Sequence, residues 1–389
     1  MKYDFGILHD RKNTNSVKYD SHREFGKRPD LVPMWVADTD FKVPIEVENA
    51  LLACASHGIF GYSEPNNTYW EAVSAWFRDG FDYNPKIEYL IKTPGVVFAL
   101  ALAIRAFTDV GDAVLIQRPV YYPFSEVVRD NKRKLINNSL VCKNGRYGID
   151  LEDFERKIVE NDVKLFLLCS PHNPVGRVWQ RKELEEMGKI CLKHKCPVVS
   201  DEIHCDFVFA PHRHTVFATL SQELEQNSII CTSPSKTFNL AGLQAANIFI
   251  SDAHLREKFA AEYRASGYSR INTMGLAACQ SAYTYGRDYL SQLLEYLSGN
   301  MELVYEFCSR TGIRAVPLEG TYLAWLDFSP LGLSDREINA LIDKAGLWLS
   351  SGTVFGREEG SGFQRINIAC PRSVLSEALE KIEKTGVKL

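Results

Sequence analysis

From residue 94 onwards, apolar runs of strand length alternate with amphipathic stretches of helix length. The turn Thr93-Pro94-Gly95-Val96-Val97 feeds an apolar helical run to about Phe107, Gly111-Asp112 ends it, and Ala113-Val114-Leu115-Ile116 reads as a buried strand. Val163 to Cys169, Pro197 to Ile203, Ser228 to Thr232 and Asn247 to Ser251 are further strand-like runs, and Arg181 to His194 has helical periodicity. Strands separated by helices predict an α/β chain with a mainly parallel sheet covered on both faces.

The flanks differ. Residues 1 to about 33 are polar and mixed in charge, an arm expected on the protein surface or on a partner subunit. Pro44 opens a helical pattern through Val47, Leu51 and Ala55, and Gly61-Tyr62-Ser63 forms a loop before an amphipathic helix from Tyr69 to Phe81. Beyond Ser251 the chain turns helical to about residue 310, with one long amphipathic run from Met274 to Cys308. Ile313 to Phe328 then alternates as strands around Glu319-Gly320-Thr321, followed by a helix from Ser334 to Ala345, a strand from Gln364 to Ala369 and a last helix from Val374. The expected division is 1–49 as arm and part of a small domain, 50–287 as a large α/β domain, and 288–389 as a small α+β domain. No flexible linker separates them, so the domains are expected to be closely docked.

Composition narrows the function classes. The chain has 389 residues, 45% hydrophobic and 24% charged, enough for two domains with a large core. A formal charge of -4 with scattered lysines and arginines offers no basic field for nucleic acid. The 10 cysteines lie singly, without a Cys-x-x-Cys pair, and read as reduced core residues rather than disulfides or a zinc site. The beginning, Met1-Lys2-Tyr3-Asp4-Phe5-Gly6, has no apolar signal core, and no stretch approaches the roughly 18 apolar residues of a membrane span. The expectation is a soluble cytoplasmic protein with neither a nucleic-acid nor a membrane partner.

The candidate chemistry centres on Ser233-Pro234-Ser235-Lys236-Thr237-Phe238-Asn239. Lys236 lies just past the strand Ser228 to Thr232, at the kind of strand end where α/β sheets bind ligands. An amine that forms a Schiff base needs a lowered pKa and an aldehyde partner, whose phosphate the nearby hydroxyls can anchor. The same segment also suits a solvated loop lysine beside a helix cap. Three other strand-end or helix-start features accompany it. Asn173 is aimed by the stiff turn Ser170-Pro171-His172-Asn173-Pro174-Val175-Gly176, or is simply a turn residue. Asp201 ends a very apolar strand in Asp201-Glu202-Ile203-His204 and needs a cationic or donor partner; a cap or ion pair is the plain alternative. Gly95 is a phosphate seat or an ordinary helix start. Taken singly, Asp38 and Asp40 suit caps or turns, His204 a core histidine, Tyr62 half-buried packing, and Arg365 a surface ion pair.

As an ordered set these segments are more specific. They resemble the fold-type I pyridoxal-phosphate enzymes, the aspartate aminotransferase superfamily, over essentially the whole chain. Trp35-Val36-Ala37-Asp38-Thr39-Asp40-Phe41, the Ser170 to Gly176 turn, Asp201-Glu202-Ile203-His204, Ser235-Lys236-Thr237-Phe238-Asn239 and Arg365-Ile366-Asn367-Ile368-Ala369-Cys370-Pro371-Arg372 look like the cystathionine β-lyase branch. The resemblance implies a mainly parallel seven-stranded sheet between helices with a smaller α+β domain, and a homodimer whose active site lies at the subunit interface. It implies pyridoxal 5'-phosphate on Lys236, which also moves the substrate α-proton, and Asp201 at the pyridinium nitrogen. Asn173 would donate to the ring oxygen, Tyr121 would stack on the ring, and Gly95, Val96, Val97, Ser233 and Ser235 would hold the phosphate, with Tyr62 reaching over from the neighbouring subunit. Arg365 would clamp the substrate carboxylate, with Ala37 and Tyr121 beside it.

Two positions depart from the aminotransferase pattern. His204 stands where many aminotransferases carry a tyrosine, as in the lyase branch, and Gln244 replaces a phosphate-binding arginine, so the phosphate charge must be met elsewhere. The activity implied is α,β-elimination of L-cystathionine or related sulfur amino acids, cysteine and cystine, to pyruvate, ammonia and a thiol. An aminotransferase of class I/II is the alternative, and a ligand-sensing regulator that keeps the fold is a third reading.

Overall fold

The computed structural model describes residues 2–386. Its central sheet consists of β1 (Leu90–Thr93), β2 (Ala113–Ile116), β3 (Lys134–Asn137), β4 (Val163–Cys169), β5 (Val198–Asp201), β6 (Ser228–Thr232) and β7 (Ala246–Phe249). The spatial order in this 7-stranded sheet is β1-β7-β6-β5-β4-β2-β3. β7 runs antiparallel to both neighbours, and every other pairing is parallel. β1, reversed twice relative to β6, therefore points the same way as the parallel strands. One edge of the sheet thus collects the C-terminal ends of all strands but β7, the edge at which open α/β sheets bind their ligands.

Side-chain alternation along each strand makes two cores from one sheet. In β4, Leu165 and Leu167 pack with Val114, Ile116, Val199, Ile229 and Ile248 under the helices Val96–Phe107, Pro123–Asp130 and Ala253–Ala265. Phe166 and Leu168 face the other way, into the core that includes Trp76, Met187, Phe217 and Phe249. Each of these fully buried side chains contributes roughly 1.5–3 kcal/mol relative to exposure. β1 and β3 escape the sequence pattern because they are edge strands: Lys92 and Lys134 break their apolar runs, as edges exposed to solvent favour.

A second, 4-stranded antiparallel sheet joins Arg314–Ala315, Leu323–Asp327, Phe363–Asn367 and Ser350–Ser351 in that spatial order. The arm meets this region too, since Val32–Pro33 pairs in parallel with Leu347–Trp348. The long run expected from Met274 to Cys308 is two helices, Thr273–Tyr285 and Arg287–Thr311. They part at Gly286, where a Cβ would stand 2.2 Å from the Phe238 ring. The apolar period continues across the break, which is why periodicity reads it as one element.

Glu319 clasps the two sheets together. Its carboxylate accepts from Arg146 and Arg177 and from the Val178 N–H, while the backbone N–H groups of Glu319 and Gly320 donate to the Gly176 carbonyl. Gly176 has a φ of +68°, and a Cβ there would lie 2.7 Å from Leu318, so only glycine fits the crossing. The loop from Ser170 to Gly176, which carries Asn173, is anchored from both sides. Among the described residues no helix is long and apolar enough to cross a membrane, no His/Cys/Asp/Glu group is disposed to hold a metal, and all 10 cysteines are free.

Candidate active site

The strand ends open into a cavity of about 390 Å³. Its wall includes Ala37, Gly95, Val96, Val97, Tyr121, Asn173, Asp201, His204, Ser235 and Lys236. Segments spread over two hundred residues of sequence meet there because each lies just past a strand end or, for Ala37, in the extended stretch that crosses in front of them.

Lys236 stands in the short turn after β6, where Phe238 N–H bonds to Pro234 O and Leu240 N–H to Ser235 O. Its Nζ donates to the Ala37 carbonyl at 2.7 Å. Burial lowers its pKa to about 8, with Asp38 pulling it up and Arg365 pushing it down. Near neutral pH the amine is therefore within reach of its neutral, nucleophilic form.

Asp201 is the last residue of β5, and its Oδ1 accepts from the Ile203 N–H at 3.1 Å. Among the described residues it forms no ion pair with a lysine or arginine, and burial raises its pKa to about 7 against the pull of that backbone bond and of Lys236. A carboxylate this enclosed calls for a cationic or proton-bearing group from outside the chain. His204 is buried, its Nδ1 has no partner, and burial together with the charges of Lys236 and Arg365 holds its pKa far below the usual 6.5, so the ring is neutral.

At the far end, the helix Val96–Phe107 begins at Gly95, and its first internal bond is from the Ala99 N–H to Gly95 O. The N–H groups of Val96, Val97 and Phe98 are thus left without intrahelical acceptors, and a Cβ on Gly95 would meet nothing within 4 Å. Open space before free amides and a positive helix end is a seat for an anion. Ser235 joins this wall, but Ser233 does not. The Ser233 hydroxyl donates to Ala245 O at 2.6 Å, lies 2.6 Å from the Ser235 hydroxyl and accepts from the Ser235 N–H, so it orients Ser235 instead of facing the cavity.

Tyr121 is tied to the Asn173 loop by its N–H, which donates to Asn173 O at 3.0 Å. Arg365 is buried behind that loop, outside the cavity wall itself. It donates to Asn173 Oδ1 at 3.0 Å and to Trp35 O at 2.7 Å, and its guanidinium lies over the Phe355 ring. Burial lowers its pKa to about 10, which leaves it charged at neutral pH, and its Nε has no partner. Tyr62 is 95% exposed and does not reach this chain's cavity.

Asp38 and Asp40 are neither caps nor plain turns. Arg11 binds both carboxylates at 2.8 Å, and the buried Lys18 ammonium lies 2.8 Å from Asp40. The arm thereby fixes the stretch that presents Ala37.

These residues fit a group bearing an aldehyde, a basic ring nitrogen and a phosphate: a low-pKa amine for the first, an unpaired buried carboxylate for the second, free helix amides for the third. The comparisons with known proteins agree. The family model for aminotransferase class I and II matches residues 36–382. The chain belongs to that family. Within it, the chain is 42% identical over 384 residues to the cystathionine β-lyase PatB of Bacillus subtilis, covering 97% of this chain and 98% of that protein. Among solved structures it is similar to cystalysin from Treponema denticola, which contains a pyridoxal 5'-phosphate cofactor: TM-score 0.95, 37% identity, 99% of both chains. The PLP-bound C–S lyase of Staphylococcus hominis complexed with the inhibitor L-cycloserine has a TM-score of 0.92 at 30% identity, over 98% of each chain.

For this class I and II aminotransferase family member, sequence reasoning missed several residues. Cys169, Phe98 and Ile203 line the cavity, and Asn367 donates to the carbonyls of Val36 and Asp38 at 2.6 Å each. Asn367 was within reach, because it follows Arg365 by two positions on one strand and so shares its face. Cys169, Phe98 and Ile203 carry no such signal.

Proposed function

We propose that this chain is a pyridoxal 5'-phosphate-dependent carbon–sulfur β-lyase that converts L-cystathionine or related sulfur amino acids to pyruvate, ammonia and a thiol. The observation that carries the reading is the meeting, in one cavity, of the low-pKa amine of Lys236 with the buried carboxylate of Asp201, which has a backbone N–H but no cationic partner among the described residues. The full-length likeness to proteins named as lyases supports the reaction type.

When bound, the cofactor supplies an electron sink for the charge that develops at the substrate Cα. Lys236 would hold it covalently, and its Nζ is the group that would take the substrate α-proton. Asp201 would keep the ring nitrogen protonated. Asn173, whose oxygen is occupied by Arg365, would have its amide N–H groups left for the ring oxygen, and Tyr121 would cover the ring face. The amides of Val96 and Val97 at Gly95, with Ser235 oriented by Ser233, would hold the phosphate without help from a cation at Gln244. His204, held neutral by burial, would lie beside the ring. Although it stands behind the Asn173 loop, Arg365 keeps its Nε unpaired, and it would clamp the substrate carboxylate with the Ala37 backbone alongside.

The same reading makes the protein a cytoplasmic homodimer, with Tyr62 of each chain completing the other's site. Supporting it, Ile59, Phe60 and Tyr62 form an apolar loop largely open to solvent in the single chain, and the cysteines are free. The division into an arm with part of the small domain (1–49), a large domain (50–287) and a small domain (288–389) has support in the separation of the 7-stranded sheet from the 4-stranded one.

The test is incubation of the purified, cofactor-loaded protein with L-cystathionine, L-cysteine and cystine. Pyruvate and thiol released without a keto-acid acceptor are expected. Amino-group exchange that requires an acceptor, without thiol release, would make the protein a transferase.

A further inference from the structure

The Ala37 carbonyl accepts two hydrogen bonds. One comes from Lys236 Nζ at 2.7 Å, and the other from the Tyr322 hydroxyl at 2.9 Å. Both lone pairs of the oxygen are thereby used. We infer that Tyr322 is a positioning residue: by locking the Ala37 carbonyl from behind, it fixes the acceptor that aims the Lys236 amine. The inference rests on the reading above in taking Lys236 as the reacting amine.

Three observations support this role. Tyr322 is fully buried, and its ring packs edge-on against Phe207 and His204 at centroid distances of 4.7 and 5.8 Å, which leaves the hydroxyl little freedom. The carbonyl itself sits in a stretch whose other carbonyls are also held: Trp35 O by Arg365, Val36 O and Asp38 O by Asn367, and Thr39 O by Asn239 and Arg11. The peptide planes around Ala37 therefore cannot rotate singly. Finally, a carbonyl accepts an N–H but does not take up the proton at these pH values. An amine bonded to it keeps its lone pair directed away from Ala37, towards the cavity where an aldehyde carbon or a substrate Cα is met.

The Tyr322 hydroxyl is buried and bonded to the Ala37 carbonyl, so the effect expected of it is on the aim of the amine. Tyr322→Phe keeps the ring contacts and removes only the hydroxyl. In the apoprotein, the rate of covalent attachment of added pyridoxal 5'-phosphate, followed by the absorbance change at saturating cofactor, is expected to fall about fivefold, with final stoichiometry unchanged. In the loaded enzyme, kcat is expected to fall by a similar factor at unchanged KM, and the kinetic isotope effect with α-deuterated substrate to rise as proton removal becomes limiting. Thermal unfolding of the variant reports folding separately, and Tyr322→Leu, which loses ring and hydroxyl together, should resemble Tyr322→Phe in attachment rate. Attachment rate, kcat and isotope effect all equal to wild type in Tyr322→Phe would overturn the inference while leaving the lyase reading intact. Failure of the wild-type protein to attach the cofactor at all would instead overturn the lyase reading.

Discussion

Arg365, on a strand of the small sheet, donates to the side-chain oxygen of Asn173, on the loop after β4, at 3.0 Å. One bond thus ties the group proposed for the substrate carboxylate to the group proposed for the cofactor ring oxygen. It also explains how a buried guanidinium keeps a partner before substrate arrives, while its Nε stays unpaired.

Replacing Arg365 by lysine removes the planar fork and the bond to Asn173. KM for the amino-acid substrate is expected to rise about tenfold to a hundredfold, the value of a charge-assisted bidentate pair, with a smaller loss in kcat. Steady-state kinetics checks this, and an unchanged KM would remove Arg365 from substrate binding.

Lys236→Ala should abolish covalent cofactor. Borohydride reduction followed by peptide mass spectrometry is expected to find a pyridoxyl adduct on Lys236 in the wild type and none in the variant, whose turnover should fall about 10³-fold or more. An adduct on another lysine in the wild type would relocate the site.

Asp201 makes a pH prediction for the apoprotein. Burial raises its pKa from the ordinary 3.8 to about 7. Between these values the folded state binds more protons than the unfolded chain, so stability is present below the unfolded pKa and is lost as pH rises through the folded one. The slope for one such group is about 1.4 kcal/mol per pH unit. Urea unfolding of apoprotein at several pH values from 4.5 to 7.5 should show the wild type losing stability relative to Asp201→Asn as pH rises. Parallel curves would mean that the carboxyl is not buried as described.

Lys18 tests the arm. Its ammonium is 1% exposed and lies between Asp40 at 2.8 Å and Asp38 at 3.6 Å. Lys18→Met leaves the buried Asp40 carboxylate with Arg11 alone, at an expected cost of roughly 3–5 kcal/mol. Denaturant unfolding measures that cost; a change below about 1 kcal/mol would show the cluster to be a solvated surface network.

The order of elements, the mainly parallel sheet and the run of strand-end segments were legible in the sequence, because burial imposes a period of two on strands and of 3.6 on helices, and strand ends leave polar residues at recognisable offsets. Lys236, Asp201 and Asn173 stand out for that reason. The edge strands at 90–93 and 134–137 and the break at Gly286 were not legible, since solvent at an edge and the passage of Phe238 beneath a glycine leave no periodic trace. Only tertiary structure decided that Ser233 turns away from the cavity, that Arg11 and Lys18 hold Asp38 and Asp40, and that Tyr322 shares a carbonyl with Lys236. Those contacts join residues far apart in sequence, and they depend on the few ångströms that separate an aligned donor from a buried neighbour, a distance that packing sets and residue order does not.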